Sequence, residues 1–119
     1  MGNISRFADY QQVVDQPDPP KEFHREIFSG QMVRVFHNLC PVDFKSKQLR
    51  HFHCNKRLIV VDGILQVVFK NGVQRIHKDD QVLVPATELH QLQNIGRIPL
   101  ELIEIRTGTY LEDDELIRV

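Results

Sequence analysis

Residues 58–76 read LIVVDGILQVVFKNGVQRI, and this stretch decides the fold class. Its apolar runs are rich in β-branched residues, which pack well on the pleated surface of a sheet. Asp62-Gly63 follows the first run at a point where the chain needs a positive φ angle, and Asn71-Gly72 between apolar runs is typical of a two-residue hairpin turn. The stretch therefore predicts three strands, at 58–62, 64–69 and 73–76, the last two joined as a hairpin.

Further strands are predicted on both sides of this stretch. Met32–Phe36 precedes it, and residues 81–85, 89–93 and 100–106 follow a polar turn at 78–80. Strands at intervals of about ten residues, with no long helix between them, favour a sandwich or barrel over an α/β fold. We therefore predict an all-β domain.

The N-terminal residues differ from the rest in composition. Residues 5–14 fit a short helix capped by Ser5. The helix cannot continue beyond them, because proline favours extended or turn conformations and three prolines follow, at Pro17, Pro19 and Pro20. We predict an N-terminal arm over residues 1–25, packed on the domain or on a partner subunit, and a single domain over residues 26–119.

Charge and composition exclude several classes of partner. The chain has 16 acidic and 15 basic side chains, so no strong net charge favours nucleic acid or an anionic membrane surface. The longest apolar runs are far too short to span a bilayer, and the first residues lack the apolar stretch of a secretory signal. Cys40 and Cys54 do not form a disulfide framework pattern. We expect a cytoplasmic protein with reduced thiols and neither a nucleic-acid nor a membrane partner.

Two histidine clusters supply the candidate chemistry. Arg50-His51-Phe52-His53 precedes the quoted stretch, and His90 follows it. Residues two apart in a strand face the same side of a sheet, so His51 and His53 are predicted to point into the barrel together, with His90 completing a three-histidine face. Neutral imidazoles bind divalent first-row metals, and a catalytic metal site leaves one position open. The clusters therefore predict a small-molecule or metal pocket, with His51, His53 and His90 as candidate ligands for Zn, Mn, Ni or Fe.

The C-terminal part of the chain carries a more specific pattern. Residues 94–111 read NIGRIPLELIEIRTGTYL and match N-x-G-x-x-P-L-x-x-I-E-x-x-x-G-x-Y-L, and residues 113–118 follow an acidic E-D-D-I-x-R ending. Pro85 and His90 precede Asn94 at the spacing of a second motif. Residues 32–118 thereby resemble the cupin domain of type II phosphomannose isomerases, often fused to GDP-mannose pyrophosphorylases. The resemblance implies a single cupin jelly-roll (double-stranded β-helix) barrel with a pocket in its mouth.

The first motif of that family is kept only in part. Counting back from Gly63, the family places a glutamine, a histidine two residues later, and a glutamate five residues beyond the histidine. Here these positions hold Leu49, His51 and Lys56. An ammonium in the place of the glutamate opposes a bound cation by about 4 kcal/mol at ~4 Å with surface-like screening. A metal held without that carboxylate would favour an anionic ligand such as a sugar phosphate.

Further candidate residues follow from alternation and from the resemblance. Lys56 and Arg118 are candidates to bind a phosphate by charge-assisted hydrogen bonds. Glu104 alternates in phase with Leu100 and Leu102 and is either a polar pocket residue or part of a structural salt bridge. The candidate residues for proton transfer are His51, His53 and Tyr110.

Three functions remain open. The first is metal-assisted aldose–ketose isomerisation of a sugar phosphate, similar to mannose-6-phosphate isomerase, in which the metal polarises the substrate oxygens. The second is a metal-independent nucleotide-sugar epimerase or ketoisomerase with a histidine base and Tyr110 as the acid. The third is a degenerate cupin that binds its ligand without turnover. Each implies a small-molecule partner, a sugar phosphate or nucleotide sugar, and the resemblance implies a homodimer.

Overall fold

The computed structural model describes residues 22–109 and 117–118. Within these ranges the chain forms strands and no helix, so no described segment could cross a bilayer as a helix. The ten strands are β1 (Phe23–Ser29), β2 (Val33–Cys40), β3 (Leu49–Arg50), β4 (Cys54–Asp62), β5 (Leu65–Phe69), β6 (Gly72–Ile76), β7 (Gln81–Val84), β8 (His90–Asn94), β9 (Leu100–Gly108) and β10 (Ile117–Arg118). The helix predicted at 5–14 lies outside the described residues.

The strands form two five-stranded sheets with antiparallel pairing. One sheet has the order β1-β2-β9-β4-β7 and the other the order β10-β3-β8-β5-β6. Apolar side chains from both sheets meet in a single core cluster, which includes Leu58, Val60 and Leu102 from the first sheet and Leu65 and Val67 from the second. This is the all-β jelly-roll barrel that the sequence predicts.

The stretch at 58–76 folds as predicted in its main features. Gly63 has a φ angle of +93° at the turn between β4 and β5, a conformation that L side chains rarely adopt. β5 and β6 form the predicted hairpin, with Phe69 opposite Gly72. The two-residue loop is therefore Lys70-Asn71, one residue earlier than the Asn-Gly pair suggested.

Strand boundaries differ from the prediction where inward positions are polar. β4 begins at Cys54 and not at Leu58, and its residues alternate between buried and exposed from that point. Lys56 occupies one of the buried positions, so the apolar alternation that marks a strand is interrupted there. β1 begins at Phe23, within the N-terminal arm predicted for residues 1–25, and all seven of its residues are exposed. An edge strand with no buried face gives no alternation to detect.

The barrel interior changes character along β4 and β9. In register, Val60 lies opposite Leu102 and Lys56 lies opposite Arg106. The first pair is fully buried and apolar, whereas the second pair is buried and charged. One end of the barrel is therefore a hydrophobic core, and the other end is lined by polar groups.

The end of β9 makes a close backbone contact with the segment that leads into β4. Gly108 lies opposite Cys54 and has a φ angle of +154°. A Cβ atom at this position would lie 2.8 Å from the Cα atom of Cys54 and closer still to the carbonyl oxygen of His53. Glycine is required here because any side chain would collide with His53 and Cys54 at the start of β4.

We expect Gly108→Ala to lower the free energy of unfolding by at least about 1–3 kcal/mol, the cost of a strained backbone. Gly72→Ala is the matched control, because a Cβ atom at Gly72 has no neighbour within 4 Å. This control should change stability by less than about 0.5 kcal/mol. Urea denaturation followed by circular dichroism measures both, and equal losses would contradict the close contact.

Candidate functional site

A cavity of about 380 Å³ occupies the polar end of the barrel. This volume lies in the range of small-molecule sites in proteins. Its walls include apolar side chains, among them Phe44, Leu49 and Leu92. Five polar side chains also line it, each less than 10% exposed: Asn38, His51, Lys56, Glu104 and Arg106.

Strand register brings the charged side chains of the cavity together. Glu104 and Arg106 are two apart on β9, so both point inward, as alternation predicts for Glu104. Lys56 on β4 is the register partner of Arg106, and Phe36 on β2 is the register partner of Glu104. The Arg106 guanidinium carbon lies 4.3 Å from the centre of the Phe36 ring, which holds the cation by a cation–π contact.

Glu104 is held as a buried carboxylate. Asn38 Nδ2 donates a hydrogen bond of 2.9 Å to Oε1, and Arg106 Nε donates one of 2.6 Å to Oε2. Burial by itself raises the pKa of this carboxyl, but the charges of Lys56 and Arg106 and the two hydrogen bonds outweigh burial and lower the pKa to about 2. Glu104 is thus ionised at neutral pH, and it is both a cavity residue and one half of a buried salt bridge.

Asn38 extends this hydrogen-bond network to the edge of the sheet. His24 Nδ1 lies 2.5 Å from Asn38 Oδ1, and the His24 ring stacks on Phe36 with 4.3 Å between ring centres. The network therefore links β1, β2 and β9. His24 is one of the residues that line the cavity.

His90 lies beside the cavity as a neutral imidazole. It is completely buried, and its Nδ1 lies 3.1 Å from the backbone oxygen of Glu88, to which it donates. Burial and the nearby charge of Lys56 lower the pKa of His90 to about 3. Its Nε2 is buried with no hydrogen-bond partner among the described residues. Because Nδ1 carries the proton, Nε2 presents a lone pair in this interior.

His51 reaches the cavity from the segment between β3 and β4. Its side chain is 4% exposed, and its backbone oxygen accepts a hydrogen bond of 2.5 Å from the amide of Thr87. Thr87 itself has a φ angle of 71°. The segment is thus fixed from two sides, by the turn that contains Thr87 and by the close contact with Gly108.

The expected partnership of His51 with His53 is wrong in its geometry. Residues 52 and 53 form a bend, and 51–53 include no strand, so side chains two apart do not share a face. His51 is buried, whereas His53 is exposed and does not line the described cavity. The structure therefore brings His51, Lys56 and Glu104 to one cavity, with His90 adjacent, and leaves His53 outside it.

The donor groups of the described residues do not fit a divalent metal. Among the described residues, no three His, Cys, Asp or Glu side chains are grouped so that they could hold one. Each oxygen of Glu104 already accepts a hydrogen bond. The ammonium of Lys56 lies close enough to act on the pKa values of both His90 and Glu104, and a cation there opposes a second one.

The remaining predicted site residues lie at the margin of the described structure. Arg118 is in β10, where its backbone pairs with Leu49, a cavity residue. Tyr110 lies outside the described residues. Cys40 also lines the cavity, and burial raises the pKa of its thiol to about 12, so it is protonated at neutral pH.

Sequence reasoning missed Arg106 and Asn38. Arg106 continues the inward alternation of Leu102 and Glu104, and this signal was available in the sequence. Asn38 lies in the half of β2 beyond the predicted end at Phe36, where polar residues obscured the strand. Only the paired register shows that both contact the same carboxylate.

Comparison with known proteins agrees with this fold. The family model described as mannose-6-phosphate isomerase C-terminal matches residues 24–119. A mannose-1-phosphate guanylyltransferase of Sinorhizobium fredii is 40% identical over 70 residues, which are 59% of this chain and 14% of that protein. The protein of the same name from Escherichia coli is 35% identical over 78 residues, 66% of this chain and 16% of that protein. The chain thus spans only a small part of the length of these relatives.

Solved structures of low sequence identity show the same fold. The cupin domain of Schizosaccharomyces pombe Cnp3 superposes with a TM-score of 0.69 at 17% identity, covering 82% of this chain and 68% of that one. An RmlC-like cupin family protein of Methanocaldococcus jannaschii, with a double-stranded β-helix fold, gives 0.68 at 16% identity, covering 79% and 86%. The cupin barrel is therefore confirmed.

The low pKa of His90 predicts a pH dependence of stability. The unfolded chain protonates this imidazole near its ordinary value of 6.5, whereas the folded chain resists protonation until about pH 3. The unfolded state therefore binds more protons in this interval, and the free energy of unfolding falls as the pH is lowered through it. Urea denaturation at a series of pH values should show this slope, and His90→Gln should reduce it.

His77→Gln removes an exposed imidazole and is the matched control. Equal slopes for the parent protein and His90→Gln across this interval would contradict the buried neutral state of His90.

Proposed function

This chain belongs to the mannose-6-phosphate isomerase C-terminal family, and from that premise we propose that its barrel cavity binds a sugar phosphate. The observation that carries the proposal is an excess of positive charge in a cavity of ligand size. The buried charged residues described there are two cations, Lys56 and Arg106, and one carboxylate, Glu104. Arg106 forms a salt bridge with Glu104, and the two cations outnumber the one carboxylate among these described residues.

An anionic ligand would balance this excess. A buried charge is costly unless it is paired and hydrogen-bonded. The phosphate group offers negative charge and several acceptor oxygens, which suit the three donors of an ammonium. Lys45 and Lys47 add two exposed cations at the edge of the cavity, against one exposed carboxylate at Glu22. Exposed cations around a positively charged cavity raise the rate at which an anion enters it.

The rest of the cavity suits the sugar. Phe44, Leu49 and Leu92 supply an apolar wall for the C–H groups of a pyranose or open-chain sugar. The His51 imidazole and the Asn38 amide also line the cavity and supply hydrogen-bonding groups for hydroxyls. A mostly apolar wall with a few placed polar groups is typical of sites that bind small molecules.

The geometry supports binding better than isomerisation. A general base works best when its pKa lies near the working pH. The pKa of Glu104 is lowered to about 2 and that of His90 to about 3, so neither is suited to proton transfer at neutral pH. Two described imidazoles line the cavity, those of His24 and His51. His24 is exposed on the edge strand β1 and His51 is buried, so His51 is the residue on which an isomerase or epimerase activity would depend.

We expect titration calorimetry to show that mannose 6-phosphate binds and that unphosphorylated mannose does not. Lys56→Gln should weaken the binding of mannose 6-phosphate by about 10- to 100-fold, since a hydrogen bond to a charged group contributes about 1.5–3 kcal/mol. Lys70→Gln is the matched control, because Lys70 is exposed in the loop between β5 and β6. Thermal unfolding of each variant confirms that it is folded.

Equal affinity for mannose and mannose 6-phosphate, or no effect of Lys56→Gln, would contradict the proposal. Incubation with mannose 6-phosphate followed by NMR separates binding from turnover. We expect the substrate to persist unchanged, whereas fructose 6-phosphate that disappears in His51→Ala would establish an isomerase with His51 in its mechanism.

A further inference from the structure

Lys56 has an unusual position for a lysine. It lies at an inward position of β4 in the middle of a sheet, between its register partners Val84 on β7 and Arg106 on β9. Its side chain is 3% exposed and lines the cavity. Strand alternation fixes this direction, because turning Lys56 outward would turn Leu58 outward as well.

The groups around Lys56 are those that bind cations. His90 presents the lone pair of Nε2, which has no hydrogen-bond partner among the described residues. His51 and the carboxylate of Glu104 line the same cavity as Lys56. The charge of Lys56 acts on both His90 and Glu104, so this cation lies among groups that attract positive charge, and it is covalently attached to β4.

We propose that the Lys56 ammonium replaces a metal ion in this barrel and supplies the fixed positive charge that binds the oxygens of the ligand. The inference rests on the proposed function and specifies how that site works. An ammonium is a compact cation with three donors, so it can hold a phosphate or hydroxyl oxygen by charge-assisted hydrogen bonds. No metal is then needed for binding.

This replacement also has a chemical consequence. A metal with open coordination positions acts as a Lewis acid on a carbonyl oxygen, or lowers the pKa of a bound water. An ammonium carries half the charge of a divalent metal, and it has no open coordination position. The replacement therefore keeps the attraction for an anionic ligand and gives up the polarising power that isomerisation needs.

The first test uses the unmodified protein. Its affinity for mannose 6-phosphate, measured by calorimetry, should be the same in EDTA and in excess Zn²⁺ or Mn²⁺. A loss of about tenfold or more in EDTA would overturn the inference while leaving the proposed function intact. An absence of binding in all conditions would instead overturn the proposed function, and the second test does not depend on a sugar.

The second test replaces the Lys56 ammonium with a side chain that can coordinate a metal. Lys56→Glu places a carboxylate beside His51 and His90, and we expect this variant to retain one Zn²⁺ or Mn²⁺ per chain after dialysis, as measured by elemental analysis. The unmodified protein and Lys56→Gln, which has a neutral side chain of similar length, should retain none. Adding His90→Gln to Lys56→Glu should remove the metal again.

Lys56→His offers a second way to create a metal site, because it adds a third imidazole without placing a negative charge near Glu104. Circular dichroism shows which variants are folded. Stoichiometric metal in the unmodified protein would overturn the inference, as would the absence of metal in a folded Lys56→Glu or Lys56→His variant.

Discussion

The buried pair of Glu104 and Arg106 is the constraint on which the rest of the site depends. Both side chains are about 4% exposed and are joined by a hydrogen bond of 2.6 Å. Removing either partner of such a pair leaves an uncompensated charge in the interior, which costs about 3–5 kcal/mol. The pair is possible only because β9 lies between β2 and β4, so that Asn38 approaches the carboxylate from one side. Lys56 approaches it from the other side.

The fold separates an apolar core from a polar cavity along the length of its central strands. The apolar half of the barrel contains Leu58, Val60, Leu65, Val67 and Leu102, all completely buried. Each fully buried side chain of this kind contributes about 1.5–3 kcal/mol relative to an exposed one. This half offsets the cost of burying charges in the other half. Substitutions in the polar half can therefore change the ligand chemistry of the barrel while the apolar half maintains the fold.

Sequence reasoning succeeded where local chemistry decides the structure. The turn at Gly63 and the hairpin between β5 and β6 depend on the φ angles of a few neighbouring residues. The same reasoning failed at His53, because residues 51–53 do not continue β4 as a strand and His53 is exposed. It also missed Arg106, because a charged residue in a sequence reads as exposed until its cross-strand partners are known. Strand register brings the cavity residues together, and register depends on pairing between segments that are distant in the sequence.

The buried position of Lys56 accords with the ligand-binding role proposed for its charge. The interior disfavours an ion by several kcal/mol unless other charges compensate it. The alternation of β4 prevents the chain from turning this side chain outward without losing Leu58 from the core. A lysine that remains at such a position therefore requires a compensating negative charge. Glu104 supplies negative charge beside Lys56 while it also neutralises Arg106, and the anionic ligand proposed for the cavity would add to it.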